Sequence, residues 1–226
     1  MSDHFDGSAG VGNTRKVVLC AICGKRRARR ACPAVHSDIC PICCGTEREV
    51  TLSCPLECEY LIEAHRREKL VGVPEKQLSN PDIVVSEDFI RSHEELLLFC
   101  IYALLQAALR TPGAVDSDVR NALEALIQTH RTMESGLYYE TKPENSVAAG
   151  VQRTFAASLA DYQKTRTQRE HMSPVRNAEV LAILVFLHRL AQHNQNGRPR
   201  GRMYLDLLRQ MTPDAGVEPA PPSIIL

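Results

Sequence analysis

The sequence has no tryptophan and only eleven other aromatic residues, six Tyr and five Phe, so its core must be built from Leu, Ile, Val and Ala. It carries no excess of either charge, with 27 basic and 27 acidic side chains. That balance excludes a strongly basic nucleic-acid clamp or an acidic solvating tail as its dominant character. No apolar run approaches the roughly 18–20 residues of a membrane span. The longest candidate, Leu96 to Leu109, is short and is interrupted by Gln106. The first residues, Met1-Ser-Asp-His-Phe, offer neither a basic n-region nor an apolar h-region, and no Asn-x-Ser/Thr acceptor occurs. The expectation is a soluble cytoplasmic protein without a membrane partner.

Catalytic signatures are missing as well. There is no G-x-x-x-x-G-K-[ST], no G-x-S-x-G and no G-x-G-x-x-G. His93-Glu94-Glu95-Leu96-Leu97 begins like H-E-x-x-H but has Leu at the second histidine position. The expectation is a protein that is not an enzyme. Hydrophobic content of 44% nevertheless suffices for a packed core.

What the sequence does have is cysteine. Eight of its nine cysteines lie between Cys20 and Cys58. In a reducing compartment such an array is read as metal-binding before it is read as disulfides. Two C-x2-C pairs, Cys20/Cys23 and Cys40/Cys43, have zinc-ribbon spacing, and Gly24 supplies a turn residue after the first. Four cysteines remain, Cys32, Cys44, Cys54 and Cys58, the number for a second closed site. The spacing predicts two interleaved zinc sites, with Cys43 and Cys44 facing different metals as neighbours in extended chain do. Pro55 fits the first turn of a helix that continues past Cys58. His36, in a C-x3-H spacing with Cys32, is an alternative ligand in place of Cys44. His65 is a further rival, otherwise a helix-surface residue. An iron–sulfur cluster also suits four thiolates. Closed four-cysteine sites leave no open coordination position, which argues against hydrolysis at the metal.

The pattern Cys20/Cys23, Cys40/Cys43 and Cys54/Cys58 resembles the small interleaved two-zinc fingers of the HIT and MYND type. The isolated Cys32 and the Cys43-Cys44 doublet depart from it, and no terminal H-x3-C pair is present. Ile39 to Val50, followed by Cys54-Pro-Leu-Glu-Cys58, is also similar to uncharacterised bacterial cysteine-rich proteins. The finger resemblance covers about 40 residues. It implies a zinc-stabilised module that binds proteins.

A basic run, Lys25-Arg26-Arg27-Ala28-Arg29-Arg30, lies between Cys23 and Cys32. It reads as phosphate contact in a nucleic-acid-binding regulator, as compensation for thiolate charge, or as contact with an acidic protein partner. Residues 15–70 are formally +4, which falls to zero once eight thiolates and two Zn²⁺ are counted. Tyr60 is their only aromatic residue, so a base-stacking surface is missing. Arg198-Pro-Arg200-Gly-Arg202 forms a second basic stretch, read as a separate surface loop. The expected function is therefore a zinc-binding adaptor or regulator with a protein partner. A nucleic-acid regulator is second, and a thiol-based redox or metal sensor third.

Around the array the chain divides by composition. Residues 1–14 are small and polar, and 71–85 read as a Pro-containing linker. Residues 212–226 carry four prolines in 15 positions; both ends are expected to be disordered. Residues 86–211 have helical periodicity and predict an all-α bundle of about five helices, giving a mainly α chain. Ser86 predicts the first N-cap and Asp116 or Ser117 the second. A third helix is expected within 145–169. Ser173-Pro174 predicts the start of a central apolar helix, and Pro199 the opening of a last short one. Cys100, in an apolar helical stretch, is expected to be a buried inert thiol. His130, Glu134, Tyr138 and Tyr139 read as a packed helix end.

Overall fold

The computed structural model describes residues 17–68, 70, 79–168 and 173–212. The expected disordered segments 1–14 and, past Thr212, 213–226 lie outside the described residues, as does the linker from 71 to 78. Among the described residues the protein is mainly helical, with the cysteine-rich part preceding the helical one. A short antiparallel hairpin, β1 (Arg30–Cys32) and β2 (Ser37–Ile39), pairs Arg30 with Ile39 and Cys32 with Ser37. Two short helices complete the cysteine-rich part, α1 (Pro41–Glu47) and α2 (Glu59–Arg67). Six helices follow: α3 (Glu87–Ser92), α4 (Glu94–Arg110), α5 (Asp116–Glu134), α6 (Ser146–Gln168), α7 (Asn177–His193) and α8 (Met203–Met211). No helix among the described residues is long and apolar enough to cross a membrane.

The local signals explain most of these elements. The Ser86 hydroxyl accepts from the Phe89 N–H at 3.1 Å and caps α3, with Glu87 and Asp88 in its first turn. The expected single first helix is broken at His93. The His93 ring and the Ser92 hydroxyl both donate to the Phe89 carbonyl, at 2.9 and 3.0 Å, competing for an acceptor the helix would use. α4 then runs to Arg110, with Cys100 fully buried. α5 begins at Asp116, but its N-terminal bond comes from Asp118, whose carboxylate accepts from the Val115 N–H at 3.0 Å. Asp116 itself reaches across the fold and accepts from the Tyr204 and Leu205 N–H groups at 3.0 and 3.1 Å, capping α8.

Two expected helix starts are corrected. Residues 173–176 are not helical; α7 opens at Asn177, whose side chain is fixed by the carbonyl and ring of His130 on α5. Pro199 does not open α8, which starts at Met203, because residues 194–202 are held in a loop by the cysteine-rich part. α7 is central: Val180, Ile183, Leu184, Val185 and Leu187 are buried, and it packs chiefly on α5. Tyr204 of α8 is fully buried and donates its hydroxyl to the Leu187 carbonyl at 3.0 Å. The expected linker is tied down in its second half. Arg189 of α7 donates to the carbonyls of Ser79, Asn80 and Ile83, and Arg131 of α5 pairs with Asp82.

The cysteine-rich part and the helices share one apolar core. They are also joined by a buried ionic cluster. Glu49, wholly buried and at φ 54, accepts from the His65 ring at 3.0 Å, from the Asn196 amide at 2.8 Å and from the Arg202 N–H at 2.6 Å. The other ring nitrogen of His65 meets Asp206 of α8 at 3.1 Å. His65 is thus buried and not on the helix surface as expected. Its place four residues after the buried Leu61 puts it on the inner face of α2. The second basic stretch is part of this joint and not a free surface loop. Arg198 pairs with Glu68 and donates to the Arg48 carbonyl at 2.7 Å; Arg200 donates to Ser53; Arg202 donates to the Ala114 carbonyl at 3.0 Å.

This cluster makes stability depend on pH. Burial opposes a charge on His65, but Asp206 and Glu49 outweigh it and raise its pKa from 6.5 to about 9. Burial also opposes ionisation of Glu49 and Asp206, yet His65 holds both below the usual carboxylate range. The histidine's contribution is fully present below pH 6.5 and is lost as pH rises through about 9. The carboxylates' contribution is lost on acidification through their depressed values. The histidine share is on the order of 3 kcal/mol. Between pH 6.5 and 9 the urea midpoint of the parent protein is expected to fall relative to that of His65→Gln, which lacks the histidine's contribution.

Candidate metal centre

Cys20, Cys23, Cys40 and Cys43 bring their four sulfurs within 4.8 Å of one another. Three are buried and Cys23 is partly exposed. Local structure dictates this convergence. After Cys20 the chain makes a tight turn in which the Gly24 N–H reaches the Cys20 carbonyl at 2.8 Å, and Gly24 takes φ 61, a conformation glycine adopts without steric cost. The second pair lies at the start of α1. Cys40 is its N-cap, Pro41 stands in the first turn, and the Cys43 N–H donates to the Cys40 sulfur at 3.4 Å. Two turns therefore present two sulfurs each to one point.

The electrostatics of this quartet are those of a cation site. Burial opposes ionisation of Cys20, but N–H groups of Cys23, Cys40 and Ile22 outweigh it and lower its pKa to about 6. The Cys43 N–H likewise lowers that of Cys40. Cys43 is pushed the other way, to about 12, by burial and by the neighbouring sulfurs. Four thiols this close cannot all ionise unless positive charge is supplied, and a divalent ion supplies it. Part of the compensation is built in. Arg26 holds Nη1 at 3.8, 3.8 and 3.9 Å from the sulfurs of Cys23, Cys40 and Cys43. The donor set fits a closed tetrahedral thiolate site.

The other four cysteines, Cys32, Cys44, Cys54 and Cys58, line one small cavity of about 10 Å³, together with Arg30, Ile39, Leu52 and Leu61. That is room for a single small occupant. The four sulfurs are not drawn as tight as the first quartet. Cys32 ends β1, Cys44 lies on α1, and Cys58 is the N-cap of α2, so Pro55 precedes that helix and does not sit in its first turn. Burial raises the pKa of Cys54, although its sulfur accepts from the Glu49 N–H. Arg30 Nη1 reaches the Cys44 sulfur at 3.2 Å, and Arg48 Nη2 stands 4.0 Å away.

Cys43 and Cys44 do face different quartets, but not because the chain is extended there. Both lie on α1, where consecutive side chains diverge by about 100°. His36 occupies the hairpin turn at φ 50, is exposed, and does not line the cavity around Cys32. Cys100 is apart from both quartets, its thiol pushed up to about 12 by burial. Tyr138 and Tyr139 are exposed, so the expected packed helix end there involves His130 and Asn177 and not the tyrosines.

The basic run divides by strand alternation. Arg26 points to the first quartet and Arg30 to the second, with Arg30 also stacked over the Tyr60 ring at 4.5 Å. Lys25, Arg27 and Arg29 are exposed and form no ion pair among the described residues. Sequence reasoning weighed the run as a unit; the period-two pattern was the signal that separates its halves.

A third group, Glu49, His65 and Glu68, also has donor atoms within 4.8 Å. Its atoms are already engaged by Asn196, Arg198, Arg202 and Asp206, and Arg198 lies directly on Glu68, which opposes a second cation. It is an ionic joint. Sequence reasoning missed Glu49 and Asp206 altogether, since isolated acidic residues carry no pattern.

Replacing Arg26 by Ala is expected to leave both quartets intact but to weaken metal retention against a competing chelator by roughly 10–100-fold. Arg27→Ala should leave retention unchanged. Compared with protein-family models, with curated proteins and with solved structures, the chain matches none.

Proposed function

We propose that this protein is a zinc-organised, non-enzymatic interaction protein, an adaptor or regulator whose partner is another protein. The observation that carries the reading is the closed quartet Cys20, Cys23, Cys40 and Cys43, sulfurs within 4.8 Å, with no fifth ligand group among them. A metal held by four thiolates is a structural metal. Zinc suits two turn-borne C-x2-C pairs. A second zinc belongs in the cavity lined by Cys32, Cys44, Cys54 and Cys58. When bound, the ions would supply folding free energy that residues 17–68 have little apolar mass to supply themselves.

Support for a protein partner over a nucleic acid comes from how the cations are used. Arg26 and Arg30 turn toward thiolates, and Arg198, Arg200 and Arg202 bind the cysteine-rich part through Arg48, Ser53 and the Cys54 carbonyl. The aromatic ring of Tyr60 lies under Arg30, leaving no platform for a base. Near the first quartet apolar residues are exposed beside the cations, among them Ile22 and Ile42 from the interiors of the two C-x2-C pairs.

Elemental analysis of protein purified without added metal is expected to give two zinc atoms per chain and no iron. Cys58→Ser should retain one and Cys23→Ser should lose at least one. One zinc in the parent would confine the reading to the first quartet; iron, or no metal with intact disulfides, would overturn it.

A further inference from the structure

The outward face of the cysteine-rich part has a chemistry that its metal sites do not require. Leu19 pairs with Arg27 in an antiparallel bridge, held by the Cys20 N–H to Arg26 carbonyl and Ala28 N–H to Val18 carbonyl bonds, both 2.8 Å. Directly paired residues send their side chains to the same face. Leu19 is 53% exposed and Arg27 is exposed beside it. Val17, two residues before, is 61% exposed, and Arg29, two residues beyond Arg27, is exposed as well. Alternation places all four on the outer side, while Arg30 and Cys32 face inward. The result is a small sheet face with an apolar edge and a cationic interior. Asp38 is exposed on the same hairpin and forms no ion pair with these arginines.

The edge is also open in its backbone. A bridge of this kind directs the N–H and C=O of Leu19 away from the Arg27 strand. Among the described residues neither group has a backbone partner. Such an edge accepts an added strand, main-chain bonds giving affinity and alternate side chains giving selectivity.

We propose that this edge binds an acidic protein segment in extended conformation, with apolar residues against Val17 and Leu19 and carboxylates reaching Arg27 and Arg29. The proposal rests on the interaction-protein reading above and names its partner class. Charge complementarity decides the occupant: outward cations with no ion-pair partner among the described residues, beside aliphatic side chains and with the Tyr60 ring already under Arg30, match carboxylates on a peptide better than stacked bases. The inward arginines, engaged with sulfur, take no part.

The test uses the full-length metal-loaded protein and a fluorescent short peptide alternating Glu and Val. The controls are its Gln–Val and Lys–Val counterparts and oligo-dT. Zinc per chain is measured on every sample. The Glu–Val peptide is expected to bind in a salt-dependent way and the Gln–Val peptide at least roughly tenfold more weakly. The double variant Arg27→Glu/Arg29→Glu should lose the acidic peptide and gain the Lys–Val one; Leu19→Asp should weaken both. Equal binding of the Glu and Gln peptides, tighter binding of oligo-dT, or self-association through this edge in sedimentation would each overturn the proposal. Full zinc content without peptide binding would overturn this proposal alone, whereas absence of metal would overturn the reading beneath it.

Discussion

The burial of Glu49 is the constraint on which the arrangement of this protein depends. A carboxylate with no exposure must be matched, because an unpaired buried charge costs several kcal/mol. Its partners come from three places: His65 on α2, Asn196 in the loop after α7, and the Arg202 N–H at the entry to α8. Its own carbonyl takes the Arg200 N–H at 2.8 Å. One residue between α1 and α2 thereby fixes the last connection of the helical part. The left-handed backbone of Glu49 fits the same role, since it turns the chain between the two helices that carry Cys44 and Cys58.

This arrangement ties the cysteine-rich part to the helical core. Glu49 N–H faces the Cys54 sulfur while its carboxylate faces His65. The second quartet and the ionic joint therefore share one residue. Asp206 extends the connection, since it meets His65 through one oxygen and Arg209 through the other at 2.8 Å. Division by composition suggested two parts and a linker; energetically the parts share a core and a charge cluster.

Much of the helical fold was legible from periodicity. The buried positions of α4, α5, α6 and α7 recur at three and four residues, and Ser86 caps α3 through the bond its type implies. The misplaced starts have a common physical cause. Ser173-Pro174 and Pro199 are good local signals, but Asn177 is bound by His130 and residues 196–202 are bound by Glu49, Glu68 and Arg48. Tertiary bonds overrode local preference in both cases. The first quartet was legible because two C-x2-C pairs impose a geometry on nearby chain. The joint was not, because Glu49, His65 and Asp206 acquire meaning only when distant segments meet.

The bond from the Arg202 N–H to Glu49 spans 153 residues. Its consequence concerns the order of events during folding. Contacts that close so long a loop are slow to form, because the chain entropy is lost before they reward it. α8 receives its N-terminal bonds from Asp116 and its approach loop from Glu49. The last helix is therefore expected to complete late, after the segment between α1 and α2 has reached its native shape. The end of the protein is thus set on a surface supplied by its cysteine-rich part.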